Sequence, residues 1–135
     1  MSYALTTTVR QNFADALTAT GGALAEQGFG ILTEIDIQAT LKAKLDADVP
    51  PHVILGACRP SLAHAALQVE PSVGLLLPCN VVVRALDDQR TLVEALDPAV
   101  MVSLTGNERL SAVAAEAGGR LAAALDSLSP GTPPT

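Results

Sequence analysis

Two cysteines carry the only soft-ligand chemistry in the 135-residue chain. Cys58 ends the apolar run of "HVILGAC" and is followed by Arg59-Pro60. Cys79 lies 21 residues later in "LLLPCNVVV", again beside a proline and at the end of an apolar run. A pair of thiols at two strand ends could close a reversible disulfide. As thiolates they could instead hold a soft ion such as Cu(I). They could also be inert, because free cysteine is among the most frequently buried residue types and packs as a small hydrophobe. By strand parity Cys79 shares a face with Val81 and Val83, which favours packing. Cys58 precedes a helix by two residues and has Arg59 as its neighbour, which favours a reactive thiolate.

Other constellations are weaker. His52, Cys58, His64 and Cys79 are the imidazole and thiol candidates for zinc, and their spacing fits no finger or ribbon. Glu34 and Asp36, two apart on one strand, could pair for acid–base work but read more simply as a solvated face. Ser61 and His64 are three apart on a helix, with no third group to orient the imidazole. The phosphate-binding glycine loops, the nucleophile elbow and the zinc-protease helix motif are absent, so the sequence leans away from an enzyme.

The elements that must position the cysteines follow from periodicity. "YALTTTV" alternates as a half-buried strand. Asn12 opens a helix with Asp15 three residues on, and Gly28 ends it. Gly21-Gly22 inside that helix predicts a close backbone contact. "GILTEIDI" predicts a strand over 30–37, with Ile31, Ile35 and Ile37 inward and Glu34 and Asp36 outward. A lysine-bearing helix follows over about 38–47, pairing Leu41 with Leu45. "HVILGAC" reads as a central strand covered on both faces. Pro60 suits the first turn of a helix over 60–70, since its missing N–H would have had no intrahelical acceptor. "NVVVRAL" and "TLVEAL" flank the turn "DDQR" as a hairpin. Asp97-Pro98 starts one helical turn, and Thr105 with Glu108 forms a capping box for a long final helix.

The pattern predicts an α+β fold: a mainly antiparallel curved sheet of about five strands with two long helices on one face. A single domain is expected over residues 1–129, with a flexible tail over 130–135. The hairpin at 80–96 argues against a doubly wound parallel sheet.

Composition narrows the partners. Hydrophobic residues make up 49% of the chain, while Tyr3, Phe13 and Phe29 are its only aromatics, so the core is aliphatic. An aliphatic excess in so small a domain points to a surface covered by a second subunit. Eight basic against fourteen acidic side chains give a net charge of −6, which a nucleic-acid backbone would repel. No apolar segment is long enough to span a bilayer, and the N-terminal residues do not resemble a secretory signal. The expectation is a cytoplasmic protein with free thiols.

"ILGACRP", "LLLPCNVVV" and Asp97-Pro98 together resemble the bacterial and archaeal domain-of-unknown-function family 302. Gly56, Cys58 and Pro60 match its first turn, and Leu77, Pro78, Cys79, Val81 and Val83 its second. Asp36 and Pro71-x-x-Gly74 also fit. Arg59 departs from the asparagine more usual there. The resemblance implies a fold similar to a single TATA-binding-like repeat and a homodimer, and it implies no activity. Three readings stay open. One is a homodimeric binding domain with a soft-metal or small-ligand site at Cys58 and Cys79, flanked by Gly56, Arg59 and Asn80; the ligand is unnamed. The second is a thiol redox enzyme or sensor, and the third a structural domain with both cysteines in its core.

Overall fold

The computed structural model describes residues 2–128; the tail expected over 130–135 lies outside them. Five strands form one sheet in the order β1-β5-β4-β3-β2, and every neighbouring pair is antiparallel. They are β1 (Ala4–Val9), β2 (Gly30–Asp36), β3 (His52–Cys58), β4 (Cys79–Ala85) and β5 (Thr91–Leu96). The helices are α1 (Phe13–Glu26), α2 (Ile37–Leu45), α3 (Pro60–Val69), α4 (Ala99–Thr105) and α5 (Ser111–Leu128). Short 3₁₀ turns occupy Pro71–Leu76 and Glu108–Leu110. The expected α+β architecture is present.

The topology explains the helix layer. β1 and β2 lie on opposite edges of the sheet, so the segment between them must cross a whole face, and α1 does so beside α5. Leu24, Leu121, Ala124 and Leu125 from these helices meet Val53, Leu55, Val81, Val83 and Val93 from the sheet in one buried cluster. Alanines at 16, 23 and 124 keep the helices close, as packing of an aliphatic core without large rings requires. A second cluster, of Ala66, Val73, Met101, Leu110 and Ala114, ties α3 and α4 to the start of α5.

Asn12 caps α1 as its type predicts: its side-chain oxygen accepts from the Asp15 N–H at 2.9 Å. The Asn12→Ala chain should lose about 1 kcal/mol, seen as a lower denaturation midpoint at unchanged slope.

Several expectations fail for physical reasons. A Cβ built on Gly21 or Gly22 would find nothing within 4 Å, so no backbone approaches there. These glycines only lower helix propensity, and Gly21→Ala should raise stability by about 0.5–1 kcal/mol in thermal or denaturant unfolding. The inward alternation of β2 is broken. A register shift between Ile31 and Thr33 places Ile31 opposite Ala57, on the helix side, but Ile35 opposite Ile54, on the other side. One extra residue reverses parity, and at this edge the whole strand is exposed. Asp36 instead caps α2, accepting from the Ala39 N–H at 2.8 Å. Leu45 ends α2 in solvent, 71% exposed, so the Leu41–Leu45 pair buries little.

β3 is central but covered by helices on one face only: Val53, Leu55 and Ala57 are buried, while Ile54 is half-buried. Asp97-Pro98 begins two turns rather than one. The capping box at Thr105 does not form. Thr105 Oγ1 donates back to the Met101 carbonyl at 2.6 Å, and the chain turns at Gly106 before a 3₁₀ turn leads into α5. Asn107 takes over as the organiser: its amide donates to the Val69 carbonyl and to Glu70 Oε1, both at 3.0 Å.

Candidate functional site

β3 and β4 pair side by side, and Ala57 lies directly opposite Cys79. Cys58 is the next residue along, in the diagonal position, so strand alternation starts its side chain on the sheet face of Gly56, away from the face that Ala57 and Cys79 share. The two cysteines come to one end of the sheet because two strand ends coincide there, and a proline turn flanks each of them. After Cys58 the chain enters α3 through Arg59, whose carbonyl accepts from the Leu62 and Ala63 N–H groups at 3.0 and 3.1 Å. Before Cys79 the Leu77-Pro78 peptide is cis.

The two turns also lock onto each other. Gly56 is buried, and a Cβ built on it would run into Thr33 Oγ1 and lie 2.9 Å from Pro78 Cγ. Only a glycine allows the β4 turn and the Thr33 side chain to close over β3 there. Nothing in the local pattern of the sequence marks Thr33 as the third member of this contact. The signal is non-local, because it depends on the β2–β3 register set by the bulge.

Both thiols are free, and both residues are partly buried. They line one small apolar cavity of about 30 Å³ together with Phe29, Leu62, Pro78 and Met101. The cavity sits at the seam of the two buried clusters, between Phe29 and Ala57 on one side and Ala66 and Met101 on the other. It has room for about one water-sized occupant, and an apolar lining gives a water few partners. Burial pushes the Cys79 thiol up from its ordinary pKa, and the neighbouring Cys58 raises it further. Cys79 therefore resists ionisation on its own. Against iodoacetamide at pH 8, Cys79 should react more slowly than a cysteine in the unfolded chain, as mapped by mass spectrometry.

The sign of the pH effect follows from that shift. A thiol whose folded pKa is raised favours folding below the unfolded pKa, and that contribution is lost as pH rises through the folded value. Stability should decline above about pH 8.5, and the decline should shrink in Cys79→Ala when melting is followed from pH 7 to 10.

Arg59 is the one cationic residue on the cavity. Its side chain folds back over the turn after α1, where Nη1 donates to the Gln27 carbonyl at 3.3 Å. Gly28 there has φ 82°, and any Cβ would collide with the guanidinium. Arg59 Nε is buried and has no acceptor among the described residues. The cavity wall is wholly apolar, so this buried donor is enclosed beside the Gln27–Gly28 turn and not presented to the cavity.

The remaining sequence candidates lie elsewhere. Asn80 is exposed and opposes Gly56 on the sheet face away from Ala57 and Cys79. Ser61 and His64 are exposed on α3. His52 opens β3 opposite Arg84, at the other end of the strand from Cys58. Glu34 and Asp36 are exposed on the β2 edge. Among the described residues no three of the His, Cys, Asp and Glu side chains gather to hold a metal. The cysteine pair thus has no imidazole or carboxylate to complete a metal site, and the Met101 thioether on the same cavity is the other soft donor there. Among the described residues no helix is long and apolar enough to cross a membrane.

Comparison with known proteins agrees with the geometry. No curated protein matches the chain. A crystal structure of an uncharacterized conserved DUF302 protein from Bacillus stearothermophilus superposes with a TM-score of 0.87 at 28% identity, covering 95% of this chain and 99% of that one. The family model for the domain of unknown function DUF302 matches residues 5–128, a span that holds both proline turns, both cysteines and every strand but the first residue of β1. With the signature glycine, prolines and cysteines all at the β3–β4 junction, the chain belongs to the DUF302 family.

Proposed function

We propose that this protein is a cytoplasmic homodimeric binding domain that holds one Cu(I) ion between Cys58 and Cys79. The observation that carries the reading is the single small apolar cavity shared by two free thiols and Arg59. Its water-sized free volume of about 30 Å³ suits one ion better than an organic ligand. Cu(I) is soft, accepts two thiolates as a sufficient ligand set, and gains from exclusion of water. Zn(II) prefers four ligands, which the site lacks. Two thiolates and one monovalent cation leave a net negative charge in an apolar place, and Arg59, whose apolar stem lines the cavity, brings a positive charge to the adjoining turn. A reducing cytoplasm keeps the thiols available.

Reduced protein under anaerobic conditions should bind one equivalent of Cu(I) and show no comparable retention of Zn(II). Binding displaces thiol protons, so apparent affinity should tighten by at least about tenfold per pH unit below the Cys79 pKa. Absence of stoichiometric Cu(I) binding would overturn the reading.

A second reading is a reversible Cys58–Cys79 disulfide, supported by the diagonal placement of the two residues on paired strands and by the cavity that both line. Mild oxidation should then remove two hydrogens from the intact mass, reversibly with dithiothreitol and only when both cysteines are present.

A further inference from the structure

The helix layer covers one face of the sheet, and the register defines the other. Ile35, Ile54, Val82 and Glu94 lie directly opposite one another across four strands, forming a row that faces away from the buried cluster. In the adjacent row Arg84 opposes Leu92. Ile35 is exposed, whereas Ile54, Val82 and Leu92 are half-exposed and belong to neither buried cluster. Arg84 and Glu94 meet diagonally at a loose 3.7 Å and both stay open to solvent.

We propose that this open sheet face is the interface of the homodimer, so that two copies pack sheet against sheet with the helices outside. The proposal rests on the homodimer stated above and supplies its surface.

Area, charge and symmetry favour a second copy over other occupants. Five strands about 4.8 Å apart and about 20 Å long present roughly 500 Å² in projection. Two such faces bury about 1,000 Å², the lower bound for a specific interface. The chain carries a net −6, yet this face pairs one arginine with one glutamate and is close to neutral. It offers no positive patch to a nucleic acid and no excess charge to a charged peptide. A twofold axis makes every contact reciprocal, so Arg84 of each copy can meet Glu94 of the other. Stacked sheets about 10 Å apart would enclose the Ile35–Ile54–Val82 row.

Sedimentation equilibrium of the full chain from 2 to 200 µM (concentrations chosen on the order of ordinary interface affinities) tests this. The native protein should show twice the chain mass. Val82→Lys faces outward in the monomer, so it should keep the native circular dichroism while weakening association by about 100-fold or more. Arg84→Glu and Glu94→Arg should each be monomeric alone, and their equimolar mixture should dimerise. A native protein that stays monomeric throughout would overturn the homodimer and this surface together. A native dimer untouched by Val82→Lys would overturn this surface alone.

Discussion

Replacing Gly56 with valine should lower stability by about 1–3 kcal/mol, the usual cost of forcing side-chain atoms into a filled site. For a domain of this size that corresponds to a melting temperature about 5–10 °C lower. The cause is specific. The new Cβ would meet Thr33 Oγ1 and Pro78 Cγ at once, so β3 could no longer receive both the edge strand and the β4 turn. Thr33→Ala should recover part of the loss when combined with Gly56→Ala, because it removes one of the two obstacles. The double-mutant cycle should therefore show coupling well above about 0.5 kcal/mol. Additive effects would mean that the two turns do not interlock. Pro78, which the new Cβ would displace, directly precedes Cys79, so Cu(I) affinity should also fall in Gly56→Ala even where the fold survives.

That contact shows where the sequence was legible and where it was not. Strand and helix identities came from local causes: alternation in β1, Asn12 as a cap, Pro60 at a helix start and the polar turn of the β4–β5 hairpin. The pairing of the two strands that carry Cys58 and Cys79 was also within reach, since an apolar run bounded by each cysteine suits adjacent ends in an antiparallel sheet. The errors share a different origin. Ile31 and Ile35 look inward by period, but one bulge residue reverses the parity and the strand falls on an exposed edge. Gly21-Gly22 resembles a contact site, yet what a glycine touches depends on elements far away in sequence. Thr105 and Glu108 have the spacing of a capping box, but Gly106 turns the chain with φ 67° between them. Thr33 and the orphaned Nε of Arg59 had no local signature, because each takes its meaning from a partner on another element.

The largest effect is expected at the cysteines themselves. The site has only these two thiolates, and the neutral Met101 thioether is a weaker donor, so Cys58→Ser and Cys79→Ser should each weaken Cu(I) binding by at least about 1,000-fold, equivalent to about 4 kcal/mol. The double substitution should add little to either single one, because the ion needs both sulfurs. Arg59→Met should act differently. It removes the compensating charge while leaving both ligands, so affinity should fall by about tenfold with stoichiometry kept at one. Cys79 packs on the main cluster, so Cys79→Ser also buries a hydroxyl and should cost stability. Cys79→Ala, which buries no polar atom, is the control that separates lost ligation from lost packing. Weak, parallel losses in all variants would indicate adventitious binding at surface groups.

X-ray absorption at the copper edge of the reduced protein, loaded with one equivalent, reads the ligands of the ion itself. Cu(I) should show an all-sulfur first shell with no nitrogen or oxygen, and that signature should be lost in Cys79→Ala. A first shell containing imidazole or carboxylate, or a spectrum unchanged by Cys79→Ala, would place the ion elsewhere and contradict a two-thiol site.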